Sequence, residues 1–227
     1  MNTDLITPTI NHNNIEKTQA SIFKIIYSPI REFEKIKENP IISRPLLILI
    51  FLQILITFFT SYSSIDQMAL VDILKDIHTT PERLKLIIAI LSAITSIFNM
   101  LFLILISSIF YKIITIIFQK DIPFKILLSF FIYLGIIPIL GLFFNGLLSF
   151  ILNINFTSFT NFGFLFKKSS IPYTIITSLD FFYLWHFTLI GIVLYVIMKL
   201  SKFKIAITMI SLLTLNILFG IISEQLF

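Results

Sequence analysis

Apolar residues are placed along this chain in two different ways. From Pro45 onward, long apolar runs alternate with short polar breaks. Before Pro45, apolar residues recur three and four positions apart among charges. The first pattern predicts helices that are apolar all round, and the second predicts a helix with one apolar face. The long runs give five helices, at 45–62, 86–118, 124–152, 181–200 and 203–222. The first has 18 residues without a charge, about 27 Å as a helix, which is enough for a hydrocarbon core. The second is apolar except for Lys112. It is longer than a bilayer requires, so it is expected to tilt or to project on the Lys112 side. Thr80 as N-cap and Pro81 in the first turn mark its start. The third contains Pro138 and is expected to bend or break near it. The short link around Ser201 makes the last two a tight hairpin.

The segment before Pro45 reads "YSPIREFEKIKENPIISRPLLILI" from Tyr27 to Ile50. On a helical wheel, Ile22, Ile26, Pro29, Ile30, Phe33 and Ile36 fall within an arc of roughly 120°. Lys24, Arg31, Glu34, Lys35 and Glu38 lie opposite, with Glu32 and Lys37 near the borders. This pattern predicts an amphipathic helix over 22–38 lying in the membrane plane, its basic residues near headgroups. Ser28 and Pro29 suit a helix start, Pro40 a stop, and Pro45 the opening of the first span. The expected fold class is therefore all-α: a polytopic membrane protein, a bundle of about five transmembrane helices preceded by an N-terminal interfacial amphipathic helix. Residues 1–20 are expected to be a disordered cytosolic tail and 21–227 a single membrane domain.

Composition supports lipid as the solvent. The chain is 57% hydrophobic and 13% charged, against about 25% charged in a soluble domain. With no cysteine there is no disulfide, thiolate metal site or cysteine nucleophile. The net charge of +5 reads as a cationic cytoplasmic face rather than a nucleic-acid surface. With the N-terminus inside, twelve lysines and arginines fall on the inner side. They are Lys17, Lys24, Arg31, Lys35, Lys37, Arg44, Lys112, Lys120, Lys125, Lys199, Lys202 and Lys204. Five fall outside: Lys75, Arg83, Lys85, Lys167 and Lys168. The expected topology is N-terminus in and C-terminus out. The first 20 residues lack the apolar core of a signal peptide. Of the two outer segments, 63–85 contains "MALVDILKDIH", which suits a short surface helix. The other, 153–180, is Phe-rich, and either lines the outer mouth or dips into the interface. Its "NFT" at Asn155 matches a glycosylation sequon by chance.

Catalytic chemistry is not indicated. His12, His78 and His186 have no ligand partner at i+3 or i+4, so no metal site is expected. No nucleophile elbow or phosphate loop occurs, and no carboxylate lies deep in a span, which disfavours enzyme and proton-coupled pump alike. No catalytic residue and no cofactor is expected. The polar residues within the spans are few. Asn99, Asn145, His186 and Asn216 are candidates for a small outward-facing polar pocket. Helix–helix contacts of about 0.6–2 kcal/mol are the plainer reading of the same residues.

Three stretches resemble one family. In the N-terminal segment the pattern is carried by Tyr27, Pro29, Phe33, Pro40 and Pro45. In "FKILLSFFIYLGIIPILG" it is carried by Tyr133, Gly135 and Pro138. In "SLDFFYLWHFTLIGIVLYVIMKLSKFKIAI" it is carried by Phe182, Leu184, Trp185 and Gly191. Together they are similar to bacterial members of the Yip family, the Ypt/Rab-interacting membrane proteins, from about Tyr27 almost to the end. The resemblance implies five spans with a cytosolic N-terminus, in a bacterial inner membrane. Eukaryotic relatives act in vesicle traffic and contact small GTPases. Their motif has an acidic residue and a glycine before its proline, where this chain has Tyr27 and Ser28.

The expected function is that of a non-enzymatic membrane organiser or adaptor. Its partners are the lipid bilayer and, through the N-terminal helix, other membrane or cytosolic proteins; nucleic acid is not among them. The alternative is a small-molecule channel or transporter built on the outward-facing pocket and the broken third span.

Overall fold

The computed structural model describes residues 19–64, 80–152, 159–167 and 170–226. Among these, all regular structure is helical. The helices are α1 (Pro29–Glu38), α2 (Ser43–Ser64), α3 (Pro81–Ile117), α4 (Phe124–Leu134), α5 (Ile136–Leu152), α6 (Ile171–Thr177), α7 (Phe181–Met198) and α8 (Lys202–Leu226). Five stretches are long and apolar enough to cross a membrane: α2, α3, α4 with α5, α7 and α8. The chain is an integral membrane protein. The tail up to residue 18, the surface helix expected within 63–85 and the sequon at Asn155 lie outside the described residues.

The third span is the centre of the bundle. Of its most apolar stretch 61% is buried, against 17% for α2 and α3 and 6% for α8. Helix α2 packs on α3, α4 and α5; α7 packs on α1, α4, α5 and α8. The break expected near Pro138 falls at Gly135, between α4 and α5. Proline crowds the carbonyl four residues earlier, and here that is Leu134, the last residue of α4. The disruption therefore precedes the proline by about one turn. Glycines let the neighbours come close to this core. A Cβ added at Gly135 would stand 2.9 Å from Leu49 Cδ1, and one at Gly141 would stand 3.0 Å from Phe182 Cγ.

The ends of α3 show how polar residues terminate an apolar helix. It starts at Pro81, five residues before the apolar run. Thr80 is the N-cap, its hydroxyl accepting a long contact of 3.4 Å from the Arg83 amide. Lys85 Nζ lies 4.7 Å from the centre of the Tyr62 ring, a cation–π contact joining the ends of α2 and α3. At the other end Lys112 Nζ donates to Asp121 Oδ1 at 3.0 Å and to the Ile122 carbonyl at 2.7 Å. The helix closes in a Schellman motif: the Gln119 amide donates to the Ile116 carbonyl and the Lys120 amide to the Thr115 carbonyl, both at 2.8 Å. The residue in the left-handed position is Gln119, at φ 56°, where glycine is usual. Gln119→Gly is therefore expected to stabilise the protein by about 0.5–1 kcal/mol. Thermal unfolding in detergent measures it, and no rise in midpoint would count against the strain.

Candidate functional site

The site begins with residues 19–41, which fold against one end of the bundle. The predicted helix over 22–38 is two pieces. Lys24–Ile26 form a 3-10 turn, and the α-helix starts only at Pro29. Proline lacks the amide that would continue a helix from Ile25, and its ring crowds that residue's carbonyl. Ser28 occupies the N-cap position, but its side chain makes no capping bond. The chain leaves α1 through Asn39, whose amide donates to the Lys35 carbonyl at 2.8 Å. It enters α2 at Ser43, with Pro45 in the first turn.

The apolar face of this segment is covered by protein. Ile25, Phe33 and Ile36 have no exposed surface, and Ile22 is buried with them. Phe33 meets Phe130 of α4 edge to face, with centroids 5.5 Å apart. The expectation that this face rests in acyl chains is thus corrected for these residues. The bundle end offers an apolar surface, on α4 and α7, that takes them up. Only Ile30 of the predicted face is largely exposed.

Polar bonds fasten the segment at both ends. The Tyr133 hydroxyl donates to the Ala20 carbonyl at 3.2 Å, and Arg44 donates to Gln19 Oε1 at 2.9 Å. Ser129 Oγ donates to the Ile41 carbonyl at 2.9 Å. Lys37 Nζ donates at 2.9 Å to the Val196 carbonyl, in the last turn of α7. That carbonyl has no partner within its helix, so a lysine there is favourable.

Glu32 is the polar residue that the sequence pattern misplaces. Read as a border position, it is only 1% exposed. Its Oε2 accepts from the Ser21 amide and its Oε1 from Lys35 Nζ, both at 2.7 Å. A buried carboxylate needs such partners. The carboxylate therefore clasps residues 19–21 onto α1. Its place at the margin of the apolar arc was the available signal.

A second polar cluster lies at the opposite end of the bundle. Asn145, on α5, is buried. Its Nδ2 donates to the Gly141 carbonyl at 3.0 Å and to Thr160 Oγ1 at 3.2 Å; its Oδ1 accepts from the Phe159 amide at 2.7 Å. Thr160 donates to Asp180 Oδ2 and its carbonyl accepts from the Phe181 amide. Asp180 is the N-cap of α7, accepting from the amides of Phe182 and Tyr183 at 2.9 and 3.2 Å. This network holds residues 159–160 against the bundle, followed by a 3-10 turn at Gly163–Leu165 and by α6, which packs on α8. Thr160 and Asp180 went unnoticed in the sequence, although an aspartate directly before an apolar run is a helix-start signal.

The four candidate pocket residues are placed differently. Asn145 is buried and bonded; His186 is partly buried on α7; Asn99 on α3 and Asn216 on α8 are exposed. Asn145→Ala leaves the partly buried Phe159 amide without its acceptor, and is expected to cost about 1–3 kcal/mol. Faster proteolysis at 159–167 in an otherwise folded protein measures the loss; unchanged cleavage would show that the other bonds hold the loop.

The arrangement comprises a fastened N-terminal segment and five apolar spans, the central one broken. Among the described residues there is no group of three His, Asp or Glu side chains placed to hold a metal. The family model of the Yip1 domain matches residues 23–223. The chain belongs to the Yip1 family. Neither a curated protein nor a solved structure matches it. The Yip1 domain thus takes in the docked segment from Phe23 as well as all five apolar helices. Within it, Tyr133 binds the N-terminal backbone. Pro138 is exposed, and Gly135 admits Leu49. Trp185 stands 5.8 and 6.2 Å from the rings of Phe181 and Phe182. Gly191 faces α8, its missing Cβ 3.4 Å from Met209 Cγ. Of the N-terminal motif, Phe33 is buried and Tyr27 is 71% exposed.

Proposed function

We propose that this Yip1-family protein is a non-enzymatic membrane organiser or adaptor that presents its N-terminal segment to a protein partner. The observation that carries this reading is an exposed apolar surface on a fastened segment. Phe23 and Tyr27 are 50% and 71% exposed, although the turn that bears them is anchored through Ile22, Ile25 and Glu32. Lys24 and Arg31 are exposed beside them. Aromatic and arginine side chains are the types that dominate binding energy at protein interfaces, and a surface held in place beforehand loses less entropy on binding.

The distribution of lysine and arginine supports an orientation with this surface in the cytosol of a bacterial cell and the C-terminus outside. The outward polar cluster around Asn145 then serves to hold the outer loop.

Photocrosslinking in cells from residues 23 and 27 tests the proposal. A discrete protein adduct is expected, weakened by Arg31→Glu. Adducts with lipid alone would overturn the adaptor reading and leave the two side chains as membrane contacts.

A further inference from the structure

Two depressions meet along the seam between α7 and α8. The first is an apolar groove of about 430 Å³, lined by Ile30 of α1, by Phe187, Ile192 and Tyr195 of α7, and by Ala206 and Met209 of α8 among others. The second is a wider polar mouth of about 1010 Å³, lined by Glu34, Lys37 and Glu38 of α1 and by Tyr195, Lys199 and Lys202. Tyr195 and Lys202 line both, so groove and mouth are continuous.

Position decides what such a space can hold. Lys199 and Lys202 flank the turn between two spans that end at Met198 and begin at Lys202. The mouth therefore lies at headgroup depth. The groove runs from Tyr195 to Phe187, about 12 Å along α7 toward the bilayer interior. A ligand filling both parts needs a charged head and an apolar tail.

The charges of the mouth define the head. Lys37 is engaged with the Val196 carbonyl. Lys199 and Lys202 are exposed, and neither has an ion pair or side-chain hydrogen bond among the described residues. Lys199 is also held at φ 52° at the end of α7. Opposite them, on α1, Glu34 and Glu38 are exposed one turn apart. Glu34 and Glu38 likewise make no ion pair among the described residues. A purely anionic head would satisfy the lysines but meet both carboxylates. A head carrying a phosphate and an ammonium satisfies both sets, and an ammonium that keeps its hydrogens can bond the carboxylates directly.

We propose that this seam binds a zwitterionic phospholipid with a primary amine, of the phosphatidylethanolamine class. Its phosphate lies on Lys199 and Lys202, its amine on Glu34 and Glu38, and one acyl chain in the groove beside Ile30 and Gly191. This site is separate from the protein-binding surface at Phe23 and Tyr27 and does not depend on it.

Native mass spectrometry of the full chain tests the site. The probes are phosphatidylethanolamine, phosphatidylcholine and phosphatidylglycerol with identical acyl chains, at equal concentration. The ethanolamine lipid is expected to be retained over both others. Lys199→Gln with Lys202→Gln is expected to weaken retention of all three, by about fivefold per lysine. Glu34→Gln with Glu38→Gln is expected to abolish the preference over phosphatidylcholine while leaving binding itself. Lys120→Gln with Lys125→Gln, lysines at the same end but outside the groove, should change neither. Equal retention of the three lipids, or a preference that survives the glutamate substitutions, would overturn the proposal.

Discussion

Phe33→Ala is expected to release the N-terminal segment from the bundle. Phe33 is fully buried and packs edge to face on Phe130. Truncating such a side chain costs about 3–5 kcal/mol. The segment is held to the bundle mainly through this ring, Ile25, Ile36 and a few hydrogen bonds. The loss therefore falls on local opening of residues 19–38 more than on global unfolding. Limited trypsinolysis at Lys24 and Arg31 reads it directly. Cleavage is expected to rise by about a hundredfold, the factor that 3 kcal/mol represents. A global unfolding midpoint that falls while cleavage stays slow would show that the segment and the bundle open as one unit. Phe33→Leu, which retains most of the apolar volume, should recover most of the docking.

Gly146→Ala is the second substitution with a large expected effect. A Cβ at this position would overlap Thr60 Cγ2, so α5 and α2 cannot keep their approach. Thr60 cannot easily turn away, because its hydroxyl donates to the Ile56 and Thr57 carbonyls at 2.9 and 3.2 Å. Overpacking of this kind costs about 1–3 kcal/mol. Because the clash involves one methyl group, Thr60→Ser should restore stability to the Gly146→Ala protein while keeping the hydroxyl. Thermal unfolding of the two single variants and the double variant closes the cycle. If the serine gives no rescue, the strain lies in the backbone of α5 instead.

The spans were legible in the sequence because apolar length and absence of charge are local properties. The start of α3 was legible for the same reason: Thr80 and Pro81 act within one turn of themselves. The break in the third span was half legible. Pro138 announced it, but a proline acts on the carbonyl four residues back, which moved it to Gly135. Partners distant along the chain were not legible. A helical wheel shows that Phe33 and Ile36 share an apolar face; it does not say whether lipid or Phe130 covers that face. It places Glu32 at a border, with no sign of the Ser21 amide that draws it inside. Asn145 was recognised as a polar residue within a span, but its bonds go to Phe159 and Thr160, in a segment whose conformation had no periodic signal. Asn99 and Asn216 are polar residues within spans too, but being within a span does not tell which way a side chain faces, and both are exposed.

The anchoring of the first described residues also sets an order of events during synthesis. Lys37 waits for Val196, 159 residues downstream, and Ala20 for Tyr133, 113 residues downstream. At about 5–20 residues per second, the interval for the lysine is about 8–30 s. Until the third span brings Phe130, the apolar side of this segment has nothing to cover it except lipid or a chaperone, and its contact with α7 waits longer still. The part of the chain made early is thus among the last to reach its place, and a nascent chain halted before the third span should expose it fully.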